Sequence, residues 1–281
     1  MLQGVRPELF GVQTSPGQVG EKASRDEAAA DAVGADRGSS RGGSGRSDRD
    51  RGRVPHAETF RIYSGGKLER RKGQDLVLRV FREFHRRHPR SQLVTAWCNG
   101  FLGSSRGGDA SRSIKMMSKH ASDPAVEANG SVSVGDWAVA NGIPRGAVVS
   151  ACAGGALKAD ELAALMHSCH AAVFLSRAEG GSNLMAMEAL AAGLPLVISN
   201  NTGHRDIISD EWCFPVRKES PVYVGGEQGS AVIEGWGEAD IDEALQALED
   251  IYMNPSSAHA KGIRAGARAC MRAFLIAYVC I

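Results

Sequence analysis

AAVFLSRAEGGSNLMAMEALAAGLPLVIS, residues 171–199, sets two short apolar runs, 171–176 and 195–199, on either side of a helix-like segment, 183–192. Apolar runs of strand length joined through a helix mark parallel strands buried on both faces. Gly193 and Pro195 stop the helix before the second strand begins.

The same alternation extends outward in both directions. FRIYSGG (60–66) reads as a strand ending in a glycine turn, and residues 73–88 as a helix with Leu76, Val77, Val80, Phe81 and Phe84 on one face. Pro89 ends that helix, and QLVTAW (92–97) follows as a strand. Residues 147–152 read as strand and 160–169 as helix. Ile241, Ala244, Leu245, Leu248, Ile251 and Tyr252 line one face of a later helix, and 256–278 form a last one. The fold class is therefore α/β, a single Rossmann-like parallel sheet with helices on both faces. Residues 103–133, rich in Gly, Ser and Asp, read as a long variable loop.

Composition bounds the rest. The 281 residues are 43% hydrophobic and 23% charged, a globular balance, but the average conceals a split. From Gly34 to Arg53 every residue except Ala35 is Gly, Ser, Arg or Asp, and Phe10 is the single aromatic residue before position 58. Such a segment buries too little apolar surface to offset its ordering entropy, so 1–57 is expected to be a disordered tail and 58–281 the folded domain. A net charge of +1 argues against nucleic acid as a partner. No run approaches the roughly 18 apolar residues of a membrane span, and MLQGVRPELF lacks a secretory apolar core, which points to the cytoplasm. The six cysteines form no CxxC pair and are expected to be reduced. His167 and His170 flank Cys169 without a second ligand pair, so a structural role is expected there rather than a metal.

Ligand crevices in open α/β sheets lie beyond the carboxyl ends of the strands. Two loops occupy that position here. SGGKLERRKG (64–73) offers glycines and the cations Lys67, Arg70, Arg71 and Lys72. SRAEGGSNLMAMEAL (176–190) places Glu179 and two glycines before a helix start capped by Ser182 or Asn183, a geometry suited to phosphate. Glu188 lies further along that helix. Carboxylates accept paired hydrogen bonds from adjacent hydroxyls, so two of them flanking a phosphate site suit a ligand with a sugar at either end. The fingerprint GxGxxG does not follow the first strand, which removes an NAD-binding reading.

These blocks, with NTGHRDII (201–208) and EGWGEADIDEAL (234–245), resemble the C-terminal lobe of retaining GT-B-fold glycosyltransferases of the family 4 type. The resemblance covers about 60–253 and implies a donor-binding domain that transfers a hexose from a nucleotide-diphosphate sugar to an unknown acceptor. By matching positions it implies that Lys67 and Lys72 neutralise the donor diphosphate and that Glu179 meets the hydroxyls of the transferred sugar. It implies that Gly65, Gly66, Gly180, Gly181, Ser182, Asn183 and Leu184 approach the donor, and that Glu188 holds the ribose. Eight residues separate the two glutamates where seven are common, a variant loop. No metal or cofactor is implied beyond the nucleotide-sugar substrate. His204 reads as a satisfied helix-start histidine rather than a donor contact. Because the GT-B fold uses two lobes, the sequence also allows a separate acceptor-lobe chain as partner. The alternative is a non-catalytic nucleotide-sugar binding module, or a truncated pseudoenzyme.

Overall fold

A computed structural model describes residues 58–97, 132–152, 157–224 and 231–279, with side chains described as far as Arg268. All belong to the compact unit Pro55–Ile281. The tail expected over 1–57 and nearly all of the loop expected over 103–133 lie outside the described residues.

Six strands, β1 (Phe60–Gly65), β2 (Ser91–Ala96), β3 (Val148–Ser150), β4 (Ala171–Phe174), β5 (Leu196–Ser199) and β6 (Cys213–Val216), form one parallel sheet in the order β3-β2-β1-β4-β5-β6. Register runs Phe60 to Ser91, Ile62 to Ala171 and Ala172 to Leu196. Helices α1 (Gln74–Arg87), α2 (Val134–Ala140), α3 (Ala159–His167), α4 (Leu184–Ala191), α5 (Ile241–Met253) and α6 (Pro255–Val279) complete the layers. On one side α1 packs on α5, and on the other α4 packs on α6. The α1 face expected from periodicity is buried as written, joined by Leu78, and Phe60, Phe84 and Tyr252 meet edge to face or tilted at 5.1–5.8 Å. Among the described residues no helix is long and apolar enough to cross a membrane.

Sequence periodicity did not indicate β6 or the antiparallel pair β7 (Glu219–Tyr223) and β8 (Val232–Ala239). Pro215 interrupts the first, and β7 and β8 are too polar and glycine-broken to alternate. Cys152 stands in a disulfide, which corrects the expectation of reduced cysteines, since spacing cannot reveal a bridge between distant positions. Cys169 and Cys213 are free, and burial pushes both thiols up to about 11.

Two buried polar groups lock the loops at the carboxyl end of the sheet. Arg177, just after β4, is fully buried and donates to both Asp75 oxygens at 2.8 and 2.7 Å, to Glu238 at 2.9 Å and to the Arg70 carbonyl at 2.9 Å. Burial alone would push the guanidinium pKa down, but the Asp75 and Glu238 carboxylates raise it above its ordinary value. His204, in the 3-10 turn Thr202–Asp206, has Nδ1 3.0 Å from the Ser199 carbonyl and Nε2 3.1 Å from Asn183 Nδ2. A neutral ring with its proton on Nδ1 satisfies both contacts, whereas a second proton would face the Asn183 amide donor. Burial, against the opposing pull of Glu179, lowers the imidazole to about 4.

Asp75→Ala leaves the buried guanidinium short of its principal carboxylate and is expected to cost about 3–5 kcal/mol of unfolding free energy. A urea titration followed by circular dichroism reads this, and a loss below about 1 kcal/mol would show the pair to be dispensable. The His204 pKa is depressed on folding, so the unfolded chain binds more protons between about pH 4 and its ordinary value of about 6.5. Stability is therefore full above that window and falls as pH drops through it, by an amount on the order of 3 kcal/mol. The same titration repeated from pH 7 to pH 4.5 measures the slope, and His204→Gln is expected to flatten it.

Candidate functional site

The sheet reverses its winding between β1 and β4, because α1 leads from β1 toward β2 while α4 leads from β4 toward β5. At such a switch point the two loops splay apart and leave a crevice above the strand ends. A cavity of about 870 Å³ occupies it, a size that suits a nucleotide-sized ligand.

Local geometry explains how each loop delivers its groups. After β1 the chain passes through Gly66 and winds into a 3-10 turn, Arg70–Lys72, closed by Gly73 at φ +66. A Cβ on Gly73 would drive into the Leu175 carbonyl, so only glycine lets α1 begin this close to β4. The Arg71 carbonyl accepts from the Arg177 amide at 2.6 Å and the Ala178 amide at 3.2 Å, which holds the turn to the loop after β4. Lys72 is thereby aimed at Glu179.

Glu179 is the hub of the site. Its side chain is 4% exposed and accepts from Lys72 Nζ at 2.8 Å on both oxygens, from Arg71 Nη1 at 2.8 Å, from Ser176 Oγ at 2.7 Å and from Asn183 Nδ2 at 3.0 Å. Its amide donates to Thr202 Oγ1 at 2.7 Å. Burial works to raise this carboxyl, but the Lys72 and Ser176 hydrogen bonds outweigh it and hold the pKa below the usual carboxylate range. Asn183, not Ser182, is the N-cap of α4, its Oδ1 accepting from the Ala186 amide at 3.4 Å.

Of the residues singled out in the sequence, Gly66, Lys67, Lys72, Glu179, Gly180, Gly181, Ser182, Asn183 and Leu184 line the cavity together. Leu184, 71% exposed, and Glu188 lie four positions apart on the open face of α4. Glu188 stands outside the cavity lining, with no hydrogen-bond or ion-pair partner for its side chain among the described residues. Gly65 also lies outside the lining: it is buried, and a Cβ there would meet the Tyr63 hydroxyl and Met185. His204 is buried behind the site, and His170 accepts from the Arg61 amide at 3.0 Å and stacks on Phe60.

Sequence reasoning did not single out Arg177, Asp75, Ser176 or Thr202, nor the β8 residues Glu234, Gly235 and Trp236 that line the cavity. A charged residue inside an otherwise apolar strand end was the one available signal for Arg177. For β8 the EGWGEADIDEAL block marked the segment but not its place at the cavity, which depends on tertiary pairing.

Residues 157–271 match the model of a family described as family 4 glycosyltransferase in conflict systems. A comparison with curated proteins finds no significant match. Among solved structures, sucrose-phosphate synthase from Thermosynechococcus elongatus is similar with a TM-score of 0.51 and 18% identity, over 76% of this chain and 41% of that one. HepE from Anabaena, in complex with UDP-glucose, is similar with a TM-score of 0.51 and 14% identity, over 77% and 45%. At these identities the likeness is one of fold, and the chain spans less than half the length of either structure. Residues 157–271 are thus similar to a family 4 glycosyltransferase model, within a sheet whose fold resembles one lobe of the GT-B glycosyltransferases.

Proposed function

We propose that this lobe binds a nucleotide-diphosphate sugar and forms the donor side of a retaining hexosyl transfer to an acceptor not yet identified. The observation that carries the reading is the Lys72–Glu179 pair at the switch-point cavity, 2.8 Å between Nζ and each carboxylate oxygen, beside the start of α4. A cation fixed next to a buried hydroxyl acceptor and a helix N-terminus is what a sugar diphosphate requires at its junction. HepE, a fold relative solved with UDP-glucose, is consistent with a donor of that class.

In this reading the bond from the anomeric carbon to the diphosphate oxygen breaks with its electron pair on the leaving phosphate. The acceptor hydroxyl forms its bond on the same face of the sugar, and its proton passes to the departing diphosphate. Lys67, Lys72 and the first amides of α4 stabilise the developing negative charge, so no divalent metal is needed for that purpose. Glu179 orients the sugar through its hydroxyls while keeping Lys72 in place. Arg71, donating to Oε2 beside Lys72, shares the second task.

Calorimetric titration of the full chain with UDP, UDP-glucose, GDP and GDP-mannose tests donor binding. Saturable heat is expected with one base series, and Lys72→Ala is expected to weaken it by about 10- to 100-fold, the range of a hydrogen bond to a charged group. Absence of heat with all four would falsify the donor reading. Where binding is found, radiolabel transfer from the matching donor separates enzyme from module, and in the enzyme Lys72→Ala is expected to lower turnover more than binding.

A further inference from the structure

The β7–β8 pair does not run in even register. Pro221 pairs with Gly237 and Tyr223 with Val232, so four residues of β8, 233–236, stand opposite the single residue Val222. Gly235, at φ +77, adopts the left-handed conformation that lets this bulge form. Bulges re-aim side chains, and here the bulged residues Glu234, Gly235 and Trp236 are the three from β8 that line the switch-point cavity. Neither the exposed Glu234 nor the half-buried Trp236 has a side-chain partner among the described residues.

The bulge is firmly seated. Glu238 binds Arg177 at 2.9 Å, the Gly237 amide donates to the Arg177 carbonyl at 3.0 Å, and Arg70 Nη2 donates to the Tyr223 carbonyl at 2.9 Å. A carboxylate and an indole without partners among the described residues thus stand on an anchored strand at the cavity wall.

The cavity is also polarised along the sheet. Toward β2 and β3 its wall is apolar, made by Ala96, Leu157 and Leu162. Toward β5 and β6 it is made by Thr202 and the bulge. Between them lie Lys72, Glu179 and the start of α4. A nucleotide sugar with its phosphates at the centre sends its flat base to one side and its hexose to the other. The apolar leucines suit the base. A hexose ring has a C–H face that packs on an aromatic ring and hydroxyls that donate to a carboxylate.

We propose that the bulge Glu234–Gly235–Trp236 is the sugar-specificity wall of this site, Trp236 packing against the apolar face of the donor hexose and Glu234 accepting from its hydroxyls. The inference rests on the donor reading above and adds the direction of the donor in the cavity. Titrations of the full-length protein compare each nucleotide diphosphate with its own sugar ester, UDP with UDP-glucose and GDP with GDP-mannose. In the series that binds, Trp236→Ala is expected to weaken the sugar ester about 3- to 10-fold and Glu234→Gln about tenfold. The free diphosphate should change less than twofold with either variant. Trp236→Phe retains an aromatic face and is expected to keep most of the affinity, and near-ultraviolet circular dichroism confirms that each variant is folded. Equal weakening of diphosphate and sugar ester, or no change in either, overturns the wall while leaving the donor reading intact. No binding of any of the four compounds to the unaltered protein overturns both.

Discussion

A guanidinium that is wholly buried must be met by carboxylates and carbonyls on every side, and Arg177 is met by three separate parts of the chain. Asp75 comes from the first turn of α1, the Arg70 carbonyl from the 3-10 turn before it, Glu238 from β8, and Arg177 itself from the end of β4. An unpaired cation at this depth costs many kcal/mol, so these parts cannot separate individually without exposing or stranding charge. The position of Lys72 relative to Glu179 is therefore a consequence of how Arg177 is satisfied. The two loops that face each other across the cavity are joined beneath it.

A second polar layer sits directly under Glu179. Asn183 spends its amide hydrogens on Glu179 and the His204 ring and its carbonyl on the first turn of α4, while Ser199 and the 3-10 turn hold the ring from below. Each member is satisfied in one protonation state and one orientation, which fixes both the carboxylate and the helix start. A preorganised charge arrangement of this kind stabilises a developing anion without rearranging when the charge appears.

Much of the sheet was legible because its strands are apolar runs and its helices carry one-sided faces: Leu76 to Phe84 in α1 and Ala244 to Tyr252 in α5 are periodic enough to read directly. The cavity loops were legible for a different reason, since glycines, cations and Glu179 cluster at strand ends. What could not be read was whatever depends on distant pairing. Arg177 lies one position from Ser176 and two from Glu179, yet its role is set by residues 75 and 238. β6 is short and holds Pro215, and β8 owes its place at the cavity to a bulge whose register no local pattern encodes. Gly65, read as a ligand-facing glycine, is small because Tyr63 and Met185 press on it.

Charge is unevenly distributed over the cavity wall in a way that would give the proposed donor only one favourable direction. Lys67, Arg71 and Lys72 all reach it from the β1 loop, and Glu179 sits among them. Glu234 stands apart, on β8. A diphosphate is attracted to the first group and repelled by the second, while a neutral hexose pays no such penalty beside Glu234 and gains a hydrogen-bond acceptor. In the proposed donor reading, the same carboxylate that would suit the sugar would discourage the phosphates from sliding toward β8, so a single side chain would serve both recognition and register. Because the bulge is tied to Arg177 through Glu238, that register is set by the same buried cation that aligns Lys72 with Glu179.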